Sequence, residues 1–253
     1  MSEQASASNT WTTAMQLVSL GYVLTRPVPR PAYKSEDLLP STIISASECL
    51  ARFLPDIWAL RWVNMTDDER ATAANHFSID GAHIDAVIHA ATCEFDAGHL
   101  KWPHTFESVS SARSFASRFY TSDAPLWLVG LGIDAVDANV IAGMELPVNA
   151  AAPAVVELAS ATSELEGGSQ LLGWEILGVE PSGEMHSWLC NELETLVHRL
   201  RGTTTNSVGL IEDHEDARVA AELCSRPSSP SEPVPWFAAA LVRFPLTDPG
   251  DGA

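Results

Sequence analysis

The chain has 253 residues, with 33 acidic against 14 basic side chains for a net charge of −19, yet 46% of its residues are hydrophobic and eight are tryptophan. That length and apolar content support a sizeable core without staples and argue against wholesale disorder. The charge disfavours nucleic acid, anionic lipid and phosphorylated small molecules as partners, and favours basic proteins or cations.

In chain order, residues 1–10 are small and polar, with neither a positive n-region nor an apolar h-region, so they read as a disordered N-terminus and not as a secretory signal. Residues 11–20 are compatible with a short helix before the Pro-rich stretch 26–31, whose prolines forbid one. A helix is predicted over 41–53, ending before Pro55, and a strand over 57–64. Thr66 followed by Asp67, Asp68 and Glu69 is a helix start, acids complementing the dipole, for a helix to about Phe77. The next helix, 82–96, places Ile84, Ile88, Ala91 and Phe95 on one stripe and is stopped by Gly98. A Trp102-Pro103 corner leads into a helix over 106–119. Residues 126–131 form a short continuous apolar run, the pattern of a buried strand, and 153–165 read as an Ala-rich helix.

A second strand is predicted over 174–179, then a turn at 181–183 and a helix over 184–200 with Met185, Leu189, Leu193, Leu196 and Leu200 on one face. Residues 213–224 read as an acidic helix, 226–235 as a Pro/Ser-rich loop and 236–244 as a closing strand, with 246–253 a disordered tail. The expected architecture is a single α+β domain over 11–245, with several helices packed on a small mixed β-sheet. Apolar runs such as 125–133 fall far short of the roughly 20 residues that a membrane helix needs.

Several patterns carry candidate chemistry. Residues 119–198 hold twelve carboxylates and no lysine or arginine, so their field must reach solvent or be answered by bases from elsewhere. Within and beyond this run, Glu180, Glu184, Glu212, Asp213, Glu215 and Asp216 stand beside helix starts, where they complement the dipole or dock a basic partner. Gly130-Leu-Gly132-Ile-Asp-Ala135 has the shape of a dinucleotide turn, but a pyrophosphate has no basic side chain to meet there, so it reads as a glycine-permitted tight turn. The four cysteines, Cys49, Cys93, Cys190 and Cys224, form no C-x-x-C pair, which suggests free thiols in a reducing cytoplasm. His89 with Cys93 and His186 with Cys190, each at i, i+4, together supply the ligand count of a tetrahedral zinc site, or a Cys190 nucleophile with His186 as base and Glu192 or Glu194 orienting it. Cys190, well inside a predicted helix among acids, lacks the positive surroundings that ionise a catalytic thiol, and neither a G-x-S-x-G elbow nor an H-E-x-x-H helix is present. No catalytic residue, metal or cofactor is therefore expected.

Three stretches taken together carry a family likeness: Trp102-Pro-His-Thr-Phe-Glu-Ser-Val-Ser-Ser-Ala-Arg-Ser-Phe, Leu126-Trp-Leu-Val-Gly-Leu-Gly-Ile, and Gly173-Trp-Glu-Ile-Leu-Gly-Val-Glu followed by His186-Ser-Trp-Leu-Cys-Asn-Glu-Leu-Glu. They resemble bacterial immunity proteins of polymorphic toxin systems, over about Asp56 to Asp216. The resemblance implies a cytoplasmic, non-enzymatic protein that binds and neutralises a cognate toxin domain, and it carries over no particular residue. Charge points the same way, since a dense negative surface speeds encounter with a basic toxin. The alternatives are a metal-assisted hydrolase built on the His/Cys pairs and a non-catalytic regulatory subunit.

Overall fold

The computed structural model describes residues 16–55, 66–77, 83–119, 126–145, 154–167, 170–190, 192–227 and 229–247. The expected strand at 57–64, the disordered N-terminus and most of the expected tail lie outside these residues. The spine is a seven-stranded sheet in the order β4-β5-β1-β6-β9-β7-β8, made of β1 (Val18–Thr25), β4 (Leu100–Lys101), β5 (Thr105–Phe106), β6 (Trp127–Ile133), β7 (Gln170–Val179), β8 (Met185–Ser187) and β9 (Trp236–Phe244). A short separate pair joins β2 (Val28–Pro29) to β3 (Thr42–Ile43). The α+β class is as expected, but the sheet is larger than expected and every described pairing is antiparallel, none parallel.

Both faces of the sheet are covered, which explains why its long strands read as apolar runs with no polar alternation. On β9, Trp236, Ala238, Ala240, Val242 and Phe244 enter one core, and Phe237, Ala239 and Leu241 the other. The first core is closed by α2 (Ile84–Asp96), α3 (Val109–Phe119), α6 (Leu193–Arg201) and α7 (His214–Cys224), and the second by α4 (Ala135–Ala142) and α5 (Ala154–Ala161). The acid-started helix α1 (Asp67–Phe77) and α7 run as the start signals predict. At α7 the Asp213 carboxylate accepts from the Asp216 N–H, a side-chain cap, and Gly98 with φ +78 ends α2.

Five further expectations are corrected. Residues 18–20 belong to strand β1 and not to a helix: all eight β1 residues are buried between two layers, and that burial outweighs the short helical reading. The segment 41–53 is not helical. Ser45 Oγ accepts from the Ser47 N–H at 3.0 Å and Ser47 Oγ from the Cys49 N–H at 3.2 Å, so two successive serine turns take the backbone donors that a helix would use. The predicted helix 184–200 is divided into β8, a turn, and α6. Gly183 closes a hairpin that lays β8 along β7, and the Ser187 carbonyl and hydroxyl accept from the Cys190 and Leu189 N–H groups to turn the chain. Met185 and Leu189 are buried as that stripe implies, but from the strand and the turn, and Leu200 is exposed.

The fourth concerns Gly130 and Gly132, which lie inside β6 and form no turn. A Cβ at Gly130 would stand 2.8 Å from the Phe244 ring and one at Gly132 2.9 Å from Leu165, so these glycines serve close packing. The 106–119 helix also starts later than expected, at Val109, with Phe106 on β5.

Candidate functional site

The segment after β3 crosses β7 at Glu175, a fully buried carboxylate in the middle of the strand. Its oxygens accept from Ser45 Oγ at 2.5 Å and from the Ala46 N–H at 2.7 Å. Burial pushes its pKa up to about 7, against the downward pull of the bonds from Ser45, Ala46 and Ser187. This polar rivet fixes the serine turns, and the turns deliver Cys49 to the edge strand β8.

At that edge, Cys49 Sγ lies 3.8 Å from His186 Nδ1, and His186 Nε2 lies 2.8 Å from Glu180 Oε1. The Cys190 thiol, in the turn after β8, lies 3.7 Å from Ser47 Oγ, the same hydroxyl that accepts from the Cys49 N–H. Cys49 is exposed, His186 and Cys190 are half-buried. The Cys190 hydrogen bond first, then those of Ser47 and His186, hold the Cys49 thiol well below the ordinary thiol range, while the same coupling and burial push Cys190 up. Burial works against an imidazolium at His186, but the bonds to Glu180 and Cys49 outweigh it and raise its pKa. Of the two sulfurs, Cys49 is the one whose surroundings favour the thiolate.

The i, i+4 spacing would pair His186 with Cys190 on one helix, with Glu192 or Glu194 as orienter. The imidazole instead faces Cys49, 137 residues away, and Glu180 orients it. Glu194 is committed elsewhere, in a buried ion pair with Lys34 at 2.9 Å. His89 and Cys93 sit together on the exposed face of α2, 3.9 Å apart, and do not join the other pair. Among the described residues the one group of three close ligand-type atoms is Glu180, Glu184 and His186. Its imidazole Nε2 is already bonded to Glu180 and Nδ1 faces Cys49, so it is arranged as a hydrogen-bonded pair with a neighbouring carboxylate. A signal for Cys49 does exist in the sequence: serines at 45 and 47, two residues apart and two before the cysteine, favour turns over helix.

The acidic residues separate into two places. Glu180 and Glu184 flank the β7–β8 hairpin close to Glu48, and burial, then Glu180 and Glu48, raise the pKa of Glu184. No ion pair with lysine or arginine is found for these three among the described residues. Glu48 approaches the buried His104 to 3.3 Å without lining up a hydrogen bond, and His104 stacks on Phe53 at 4.0 Å. At the start of α7, Asp213 is the cap and Glu215 pairs with Arg218, which leaves Glu212 and Asp216 as the exposed acids without a described structural duty there. The chain's two lysines both answer acids of the 119–198 run, Lys34 at Glu194 and Lys101 at Glu157.

A separate cleft of about 520 Å³ is lined by Lys101, Glu107, Glu157, Glu164 and Glu166 among others, and none of the residues around Cys49 reaches it. No helix of the described residues is long and apolar enough to cross a membrane. Comparison with protein-family models, with curated proteins and with solved structures returned no match to this chain.

Proposed function

We propose that the chain is a non-enzymatic binding protein of the immunity type, which neutralises a cognate basic toxin domain by docking it on the acidic edge around the β7–β8 hairpin. The observation that carries this reading is the grouping of Glu48, Glu180 and Glu184, where burial and then repulsion from Glu180 and Glu48 raise the pKa of Glu184, while the chain's two lysines are spent elsewhere. Like charges held together at a surface oppose folding slightly and are relieved by a cationic partner, which gains both attraction and faster encounter. The binding set narrows accordingly. At the hairpin Glu184 remains available to a partner, Glu180 being bonded to His186, and at the separate start of α7 Glu212 and Asp216 remain available, whereas Asp213 and Glu215 have duties within that helix.

The experiment is co-purification with the product of the adjacent reading frame, followed by association rates against ionic strength. A fall in on-rate of about tenfold or more from low to physiological salt is expected. Glu184→Lys combined with Glu212→Lys and Asp216→Lys should weaken the complex while thermal unfolding stays unchanged. A salt-independent on-rate, or full protection of cells by the reversed chain, would remove the acidic-docking reading.

A further inference from the structure

We propose that Cys49 and Cys190 form a peroxide-reactive thiol pair, in which the Cys49 sulfur, set against an imidazole that Glu180 orients, attacks a neutral hydroperoxide and Cys190 closes the product into a disulfide. This goes beyond the partner-binding reading and does not rest on it.

Four features of one site carry the inference. Cys49 is solvent-exposed, as a sulfur that meets a diffusing oxidant must be. Its sulfur is 3.8 Å from His186 Nδ1, and the other ring nitrogen is fixed at 2.8 Å by Glu180, so the imidazole is aimed and stabilised as a cation beside a thiolate. A second thiol, Cys190, adjoins Cys49 across Ser47, and each thiol shifts the other's acidity. Ser47 links the two, accepting from the Cys49 N–H at 3.2 Å and lying 3.7 Å from Cys190 Sγ.

The same geometry argues against the rival use of a Cys–His–Glu set, acyl transfer. That chemistry needs free hydrogen-bond donors beside the nucleophile for an oxyanion, most often backbone N–H groups. The Cys49 and Ser47 N–H groups are both already given to serine hydroxyls. An adjacent second thiol also serves no acyl transfer, while it is the feature that converts a sulfenic acid to a reversible product. Charge selects the oxidant. Glu48, Glu180 and Glu184 surround the site, so anionic electrophiles are repelled and a small uncharged hydroperoxide is not.

The Cys49 thiolate attacks the distal oxygen of the hydroperoxide, the O–O bond breaks, and the leaving oxygen takes a proton from the His186 imidazolium to depart as water or an alcohol. Cys49 is then a sulfenic acid. The Cys190 sulfur attacks it, the S–O bond breaks, and the hydroxyl leaves as water with the Cys190 thiol proton. Two sulfurs are oxidised by one electron each, and the peroxide takes both electrons.

The test uses the full chain, reduced, then exposed to hydrogen peroxide at neutral pH and mapped without reductant. Loss of two thiols, a mass decrease of about 2 Da and a single cross-linked peptide joining Cys49 to Cys190 are expected. Cys93 is the internal control, because it is also exposed and has His89 at 3.9 Å, but no second cysteine adjoins it. It should remain alkylatable, as should the buried Cys224. Cys190→Ser should stop at a dimedone-trappable sulfenic acid on Cys49, and adding His186→Gln should slow that trapping about tenfold or more. Oxidation of Cys49 no faster than Cys93, a disulfide to any other cysteine, or an unchanged rate without His186 would overturn the proposal. The map is read on the parent chain, so it decides even if a substituted chain does not fold. A chain that forms this disulfide but binds no basic partner loses the docking reading alone.

Discussion

Glu175 offers the sharpest test of how the site is held. Its carboxyl is fully buried on β7, and burial raises its pKa from 4.5 to about 7. A raised carboxyl pKa means that the folded chain holds the proton more tightly than the unfolded one. The associated stability is therefore complete below about pH 4.5 and is lost as the pH climbs through 7. At 1.36 kcal/mol for each tenfold change in acidity, the whole contribution is about 3 kcal/mol, most of it lost between pH 5 and 8. Glu175→Gln keeps the shape, and its amide can still accept from the Ala46 N–H and face Ser45 Oγ, but it cannot ionise. Urea unfolding of both chains under reducing conditions at pH 5, 6, 7 and 8 provides the measurement. The stability of the variant relative to the parent should rise by about 2–3 kcal/mol across that range. Other carboxylates titrate in both chains, so the difference isolates Glu175. Parallel pH dependences would show that the buried carboxyl is not the titrating rivet and that the serine turns are fixed some other way.

Lys34→Ala should cost about 3–5 kcal/mol in the same assay by leaving Glu194 buried without its cation, and the double replacement Lys34→Met with Glu194→Leu should recover most of the loss. Leu189→Ala, in the fully packed turn before α6, should cost about 2–5 kcal/mol, whereas Leu200→Ala, on the exposed side of α6, should change stability by less than about 0.5 kcal/mol in urea unfolding. Asp213→Ala should lower the thermal midpoint by removing about 1 kcal/mol of capping at α7, and Glu212→Lys should leave that midpoint unchanged, which separates the structural acid from the surface acid.

Much of the architecture was legible in the sequence where one local signal dominated. The run 236–244 is the strand Trp236–Phe244, and the acid-started helices before Phe77 and Cys224 follow from dipole and capping chemistry acting within one turn. The eighty-residue stretch without a base also implied that its field reaches solvent or is answered by bases from elsewhere, and Lys34 and Lys101 answer two of its acids. Tertiary structure alone decided the rest, because sequence spacing does not encode which segments a sheet brings together. The stripe through Met185, Leu189 and Leu193 has helical spacing, yet pairing with β7 makes its first part a strand, since an edge position opposite Val179 and Leu177 buries Met185 and Ser187 at once. Cys49 and His186 are unremarkable 137 positions apart. They become a site because a buried carboxylate on β7 captures two serine turns on one side of the strand while β8 hydrogen-bonds along its edge, and that convergence exists only in the fold.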